Sequence, residues 1–558
     1  MLTRPHGSDG GVLKVAPVFL NPLFFCRGVA RRRPGADKRR PYVALFLILV
    51  GAFSLPAAEP SPSAAPLAVL KAEAFARHIA FFNAMEDEPV VNVVPNADAW
   101  AWLQARVPFF ECADRDAEEI YWFRWWAIRK HLRKDPSGHF AFTEFVNRAR
   151  PVSSALGHHL MDGRWLRDQS FHDDYVLYWL RGNKGAPQEH LHRFSSWLQF
   201  ALWQRWLVTQ DTATLTGLLD DLVKDFARWE KEQQLPNGLF WQFDVRDAME
   251  ESISGSRTKK NIRPPLNSYM FGNARALAAI ARLAGREDLA KEYDAKAAAF
   301  RRQTLDTLWD PEAKFFKVRL EETGQLADVR EQIGYIPWYF NLPEPGKGYE
   351  AAWAQLSDDR GFRAPFGITT AERRHPLFRS HGIGTCEWDG AVWPFATSQT
   401  LTGLANVLAD YPPQNFVTAY DWFAAFVTYT RSHRYDHRPY LGEYQDEVTG
   451  QWLKGRNERS RTYNHSTYAD LLITGAVGLR PRADDVVELN PLASAEAWPW
   501  FCLDGVPYHG RILTILYDRD GKHYGRGAGL RVLVDGKEIA HSPQLGRLTA
   551  KLPALVAP

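Results

Sequence analysis

Hydrophobic residues recur every three to four positions over most of the chain from Leu67 to Arg480. This spacing places apolar side chains on one face of a helix. It predicts helices over these segments: Pro66–Phe82, Asp116–Arg133, His139–Arg148, Arg167–Arg181, Leu191–Thr209, Thr212–Gln233, Ser268–Ala284, Glu287–Leu308, Glu350–Leu356, Gly390–Ala409, Pro413–Arg431 and Asn464–Gly478. Because no repeat of fixed length is present, we expect a closed double ring of helices rather than an open solenoid.

The pattern changes to alternation near the C-terminal end. Arg511–Tyr517 and Leu530–Val534 alternate apolar and polar residues, and Asp520-Gly521 supplies a turn between them. This arrangement is typical of β-hairpins. We therefore predict a helical domain over residues 67–484 and a small β domain over residues 485–558.

The N-terminal segment has the layout of a secretory signal. Two basic clusters, Arg31–Arg33 and Lys38–Arg40, precede the apolar run Tyr42–Leu55, which is followed by small residues. The run is shorter than the ~20 residues that a membrane-spanning helix needs. We predict a signal peptide within residues 1–58, a linker over 59–66, and export to the periplasm or the extracellular space. A membrane anchor is the alternative.

Charge and composition exclude several classes of partner. Residues 1–58 hold nine basic and two acidic residues, so residues 59–558 carry 59 basic against 63 acidic ones, a net charge of −4. A nucleic acid is therefore not an expected partner. The 21 tryptophans fit either clefts that stack on flat ligands or a thick aromatic core.

The cysteines and histidines do not predict a metal site. Cys112, Cys386 and Cys502 follow the apolar run, are odd in number and have no CxxC spacing. The pair His158-His159 lacks a third ligand at suitable spacing. We expect no metal and no cofactor.

Four long polar and aromatic loops are expected to build a ligand cleft: Gly157–Asp174, Gly238–Asn267, His381–Pro394 and Tyr435–His465. The second places Asp244, Asp247, Glu250 and Glu251 close together beside Trp241. Neighbouring acids raise each other's pKa, and a general acid needs a raised pKa. The alternative is a solvated acidic turn.

The fourth loop contains Glu443 between Gly442 and Tyr444. A carboxylate in such a loop can deprotonate a water molecule that faces a bound ring. The alternative is a surface ion pair with Arg434 or Arg438.

Further candidates combine indole rings, which stack on sugars, with charged groups, which bind hydroxyls: Trp165, Arg167, Asp168, Trp241, Trp388, Asp389 and Trp393. For the third loop, the alternative is that Asp389 is a helix N-cap and that Trp393 belongs to the core.

Three short motifs resemble the inverting α-glycosidases of glycoside hydrolase family 63. Met249–Ser252 is similar to their general-acid segment, Gly390–Pro394 to their Gly-Pro-Val-Trp motif, and Gly442–Tyr444 with Thr449-Gly450 to their general-base segment. The resemblance covers roughly Leu67 to Arg480 and extends to mannosylglycerate-hydrolase-like and trehalase-like six-hairpin enzymes. It implies an all-α (α/α)6 toroid and an inverting mechanism.

By this resemblance Glu250 is the general acid and Glu443 the general base. Glu250 stands where the family has aspartate, and Glu251 where it has asparagine, so Asp247 remains a second candidate for the acid. The segment Trp500–Gly510 is more similar to six-hairpin enzymes that act on plant side-chain sugars, including β-L-arabinofuranosidase-type proteins.

The sequence thus predicts an exported inverting glycoside hydrolase that acts on an oligosaccharide or a plant-type glycan. Two other classes remain open. A polysaccharide lyase would use groups such as Arg434, Tyr435, His437 and Tyr440, but it requires a basic cleft, and these loops are rich in carboxylates. A non-catalytic carbohydrate-binding protein would use the tryptophans but not two separate carboxylate loops.

Overall fold

The computed structural model describes residues 67–148, 150–381, 386–454 and 460–555. The predicted signal peptide within residues 1–58 and the predicted linker over 59–66 lie outside the described residues. Within the described ranges, none of the helices has the length and apolar character that crossing a membrane requires.

Helices dominate the chain up to residue 476. The described residues form fourteen α-helices: α1 Ala76–Asn83, α2 Ala99–Arg106, α3 Arg115–Lys130, α4 Ser153–Gly163, α5 Ser170–Arg181, α6 Leu198–Thr209, α7 Thr212–Gly217, α8 Leu219–Gln233, α9 Pro264–Leu283, α10 Glu287–Leu308, α11 Ile336–Tyr339, α12 Pro394–Asp410, α13 Ala419–Ser432 and α14 Ala469–Leu471. A π-helical turn, Leu472–Ala476, continues α14. The prediction of a mostly helical protein is confirmed.

The pair α9 and α10 illustrates how the sequence builds this architecture. Two prolines open α9, where their missing N–H groups are not needed, and Gly285 separates the helices with a φ of +70°. Nearly all of α9 up to Ala281 is buried, whereas α10 buries a single stripe that includes Tyr293 and Phe300. A helix that is buried all round lies inside the fold, and an amphipathic one covers it.

Short strands complete the fold: β1 Phe109–Cys112, β2 Leu132–Lys134, β3 Phe140–Phe142, β4 Trp309–Asp310, β5 Phe315–Phe316, β6 Arg363–Ala364, β7 Gly367–Ile368, β8 Arg434–Tyr435, β9 Arg438–Pro439, β10 Val486–Leu489, β11 Trp500–Tyr508, β12 Arg511–Asp518, β13 Gly529–Val534, β14 Lys537–Ser542 and β15 Leu548–Lys551. The main sheet is antiparallel, in the order β1-β11-β12-β13-β14. The predicted C-terminal β segments are confirmed.

The sheet is continuous with the helical part of the chain. Its edge strand β1 comes from residues far upstream, and Phe109 pairs with Asp504 of β11. All the described residues belong to one compact unit. The helices and the sheet thus share a hydrophobic core, which contains both Phe110 and Trp498.

Two predictions of local structure were wrong. His139–Arg148 is not helical: β3 pairs with β2 through a turn in which Asp135 accepts a hydrogen bond from the Ser137 N–H. The segment Gly157–Asp174 is not one long loop, because α4 and the start of α5 occupy most of it. Every residue of α4 is buried, so its sequence lacks the apolar and polar faces by which helices are recognised.

Candidate active site

A cleft of about 610 Å³ is lined by segments from three of the regions that the sequence pointed to, together with the segments 144–154 and 190–194. Its wall includes Glu250, Trp393 and Glu443, and also Glu144 and Tyr463. The fold therefore brings the two principal candidate carboxyl groups into a single cavity.

Backbone hydrogen bonds join the loops around the cleft. The N–H of Trp388 donates to the carbonyl oxygen of Glu250 at 3.4 Å. Val392 and Gln445 exchange two hydrogen bonds of 3.0 Å, which tie the Trp-Pro segment to the segment that carries Glu443. These contacts fix the relative positions of the loops, as pre-organised catalytic groups require.

Glu250 lies in an environment that favours its neutral form. Burial raises the pKa of this carboxyl, a hydrogen bond with its own backbone and the charge of His465 oppose the rise, and the nearby acids Glu144 and Asp244 support it, so that the pKa is about 7. A carboxyl group with such a pKa is protonated in a large share of molecules at neutral pH and can act as a general acid.

Glu443 lies in the opposite environment, although only 4% of it is exposed. The Lys454 ammonium nitrogen is 3.2 Å from Oε2, and the Ser460 hydroxyl donates to Oε1 at 2.5 Å. Burial lowers the pKa of Lys454, but the charges and hydrogen bonds of Glu443 and Cys386 together outweigh burial, so that the pKa is raised. The ammonium and hydroxyl groups stabilise a carboxylate at this position, and a carboxylate can accept a proton from water.

Three aromatic rings form a stack behind this part of the cleft. Trp393 packs against Trp388 and against Tyr444, each with ring centroids 4.7 Å apart and planes within 26° of parallel. Trp388 is only 1% exposed. Because these rings cover one another, the stack supports the loops, and Trp393 contributes only part of its surface to the cleft.

Asp247, the second candidate for the acid, lies in the core rather than in the wall of the cleft. Its side chain is 0% exposed and pairs with Arg263, whose Nε is 2.7 Å from Oδ2. The Ser195 hydroxyl donates to Oδ1 at 2.6 Å. Burial raises the pKa of Asp247, and the contact with Arg263 opposes this rise. These contacts give Asp247 a role in holding the loop.

The candidates Trp165, Arg167 and Asp168 do not line the cleft. Trp165 is fully buried and donates its indole N–H to Asp470 at 2.7 Å. The Arg167 guanidinium donates to three backbone carbonyl oxygens, and Asp168 pairs with Arg106 at 3.1 Å. Their polar groups are engaged inside the protein, so their placement gives no support for sugar binding.

Trp241 and Asp389 also lie outside the wall of the cleft. Trp241 is half-buried, and the Lys260 ammonium lies 4.9 Å from its ring centroid. Asp389 is fully buried and accepts hydrogen bonds from the backbone N–H and the ring of His381 at 2.9 and 3.0 Å. In this placement Asp389 holds its own loop in position.

The sequence did not single out a polar network beside Glu250. Tyr463 donates to Glu144 Oε1 at 2.8 Å, and His465 Nδ1 lies 2.9 Å from the same oxygen. Glu144 was missed because its segment was predicted to be a helix. Within the described residues, no three side chains of the types that bind metals come together.

Comparison with known proteins places the chain among glycosidases. Residues 149–466 match the family model described as the mannosylglycerate hydrolase MGH1-like glycoside hydrolase domain. Residues 479–541 match the C-terminal domain of glycosyl hydrolase family 65. The first match contains Glu250 and Glu443, and the second contains β11, β12 and β13.

Solved structures are similar to the chain as well. A chain titled "Sialidase" superposes with a TM-score of 0.85 and 48% identity over 87% of this chain, and this chain spans 45% of that one. A GH78 family rhamnosidase of Bacillus sp. GL1 has a TM-score of 0.50 and 13% identity, with 76% of this chain and 41% of that chain covered. This second likeness concerns the fold alone.

A GH63 mannosylglycerate hydrolase from Thermus thermophilus in complex with glucose has a TM-score of 0.49 and 14% identity, over 63% of this chain and 99% of that one. The resemblance of the sequence to mannosylglycerate-hydrolase-like glycosidases is confirmed by the family model. Because that model matches more than half of the residues, the chain belongs to the mannosylglycerate hydrolase MGH1-like glycoside hydrolase domain family.

Proposed function

We propose that the protein is an inverting glycosidase in which Glu250 is the general acid and Glu443 the general base. One observation carries the proposal: Glu250, which is partly buried, and Glu443, which is buried, line the same cleft in opposite electrostatic environments. Burial and neighbouring acids favour the neutral form of Glu250, whereas Lys454 and Ser460 stabilise the charge of Glu443.

In the proposed reaction, Glu443 removes a proton from a water molecule as its oxygen attacks the anomeric carbon. The bond from that carbon to the glycosidic oxygen breaks, and Glu250 donates its proton to the leaving oxygen. One displacement inverts the configuration. Water must fit between the base and the sugar, so inversion requires a carboxyl separation of roughly 6.5–9.5 Å.

The proposal includes an (α/α)6 toroid as the scaffold. Support comes from consecutive helices in which one member, such as α9, is buried all round while the next, such as α10, is amphipathic. Loops at one end of such a ring surround its axis, and ligand sites concentrate on loops held by a rigid frame.

The proposed substrate is an oligosaccharide or a plant-type glycan, and the proposed location is outside the cytoplasm. The name "Sialidase" is that of a longer chain, of which this one covers 45%, so its activity is not transferred to this one. Export is supported by the apolar run Tyr42–Leu55 after two basic clusters. Mass spectrometry of the protein from its natural host is expected to find a first residue between Ala58 and Pro66; a membrane-bound chain that retains Met1 would contradict export.

The groups proposed for a lyase receive no support from their positions. Arg434 pairs with Asp116 at 2.7 Å and also with Glu119. Neither Arg434 nor Tyr435 is among the described residues that line the cleft.

A screen of aryl glycosides and plant oligosaccharides with the purified protein tests the function. We expect hydrolysis, and proton NMR of the first product should show the anomeric configuration opposite to that of the substrate. Retention would contradict the inverting mechanism. Ultraviolet absorbance from an unsaturated product would instead identify a lyase.

A further inference from the structure

Three arginine side chains, Arg148, Arg150 and Arg193, line the same cleft as Glu250 and Glu443. All three are exposed. Across the described ranges, no carboxylate lies within 4.0 Å of their guanidinium groups. The wall of the cleft therefore carries positive charges that no ion pair within those ranges neutralises.

Other arginines near the cleft are paired. Arg263 contacts Asp247 at 2.7 Å, and Arg379 contacts Glu387 at 2.8 Å. Guanidinium groups that share a concave surface repel one another, which costs free energy unless an anion binds between them. Arginine is also the side chain best suited to bind planar anions through two parallel hydrogen bonds.

His190 lines the cleft as well. Burial lowers the pKa of His190, and the positive charges of Arg150 and Arg193 lower it further, although Glu189 opposes them. The positive charge of this wall belongs to the guanidinium groups, which stay protonated at any pH at which the protein is folded.

This wall is distinct from the place where the glycosidic bond would break. The charged groups that mainly act on Glu250 are Glu144, Asp244 and His465, and the three arginines are not among them. An adjacent guanidinium would lower the pKa of the acid and deprotonate it. An anion bound by the arginines would thus occupy a neighbouring subsite.

We propose that Arg148, Arg150 and Arg193 form an anion-binding subsite that accepts a negatively charged sugar residue, bearing a carboxylate or a sulfate, next to the sugar that is removed. This proposal rests on the proposed function, because it assigns a second subsite to the same cleft. Phe194 and Val152 add apolar surface beside the arginines, on which the ring of such a sugar can lie.

Calorimetry with Glu443→Gln, in which hydrolysis should be slow, tests the subsite. The probes are uronic acid oligosaccharides, each paired with its carboxyl-reduced neutral counterpart, and sulfated oligosaccharides paired with their desulfated forms. We expect at least one charged member to bind about tenfold more tightly than its neutral partner, with an affinity that falls as salt is added. If the uronic acid oligosaccharides show this difference, the subsite binds a carboxylate; if the sulfated oligosaccharides show it, the subsite binds a sulfate.

The double substitution Arg150→Gln and Arg193→Gln, made in the same background, should reduce this preference to about twofold or less. Arg228→Gln is the matched control, because Arg228 lies on the exposed face of α8 and pairs with Glu232. It should leave the preference unchanged. Thermal unfolding establishes that each variant is folded.

The proposal is wrong if every charged probe binds no more tightly than its neutral partner, or if the double variant keeps the full preference. These outcomes are independent of catalysis. If the protein hydrolysed no glycoside but still bound charged oligosaccharides through the arginines, the proposed function would fail and the anion subsite would stand.

Discussion

The Lys454 ammonium nitrogen lies 3.2 Å from Oε2 of Glu443, in the wall of the cleft that Glu250 also lines. The cation stabilises the charge of one carboxylate, while burial and other acids favour the proton on the second carboxyl. A pair of titratable groups whose environments differ in this way is typical of an acid and a base that act on one substrate.

Glu443→Gln should lower kcat about 10²- to 10⁴-fold, the usual contribution of a general base. Glutamine keeps the size of the side chain but does not accept a proton from water. Calorimetry should show that the substrate still binds. Glu292→Gln, on the exposed surface of α10 next to Lys296, is the control and should keep full activity. A Glu443→Gln variant with near wild-type kcat would refute the role of the base.

The raised pKa of Glu250 predicts that stability depends on pH. Between the ordinary value of 4.5 and about 7, the folded protein binds more protons at this site than the unfolded chain does. The free energy of unfolding therefore falls as pH rises through this window, and the contribution is lost above pH 7. Thermal unfolding of wild type and Glu250→Gln at a series of pH values measures this contribution of Glu250 to the free energy of unfolding.

Relative to wild type, Glu250→Gln should gain stability between pH 5 and pH 8, because glutamine has no proton to lose. A stability difference that stays constant over this range would contradict the assigned environment. The alkaline limb of kcat/KM should begin near pH 7 in wild type and should be absent from the variant.

Asp247→Asn should act on stability rather than on the chemistry. Removal of the carboxylate leaves the buried guanidinium of Arg263 without its partner, which should cost about 3 kcal/mol of unfolding free energy. The control is Asp221→Asn, because Asp221 pairs with Arg181 at the surface, where the loss should be below about 1 kcal/mol. Equal losses in the two variants, measured by denaturant unfolding, would contradict a structural role.

The helical character of the chain and the positions of Glu250 and Glu443 could be predicted from sequence. The helix Glu287–Leu308 is identical in prediction and structure, because its buried stripe is regular and Gly285 precedes it. The two glutamates belong to motifs whose order along the chain matches that of a known family. Their selection as candidates therefore did not depend on one motif alone.

The rest of the site could not be predicted, because composition does not reveal which way a side chain faces. Trp165 and Arg167 have the residue types of a sugar site, yet their polar groups bond to Asp470 and to backbone carbonyls in the interior. Nothing in the local sequence distinguishes Arg150 and Arg193 from arginines on any protein surface. They are distant in sequence, and the tertiary fold brings both to one cleft. Local sequence patterns do not contain this information.

The most direct test of the central claim compares two substrates in Glu250→Gln. An aryl glycoside with a good leaving group needs little protonation, whereas an unactivated oligosaccharide needs the acid. We predict that kcat/KM falls at least about 10²-fold for the oligosaccharide and by much less for the aryl glycoside, while Glu443→Gln loses activity on both. Equal losses on the two substrates in Glu250→Gln, or wild-type activity on the oligosaccharide, would contradict the assignment of acid and base.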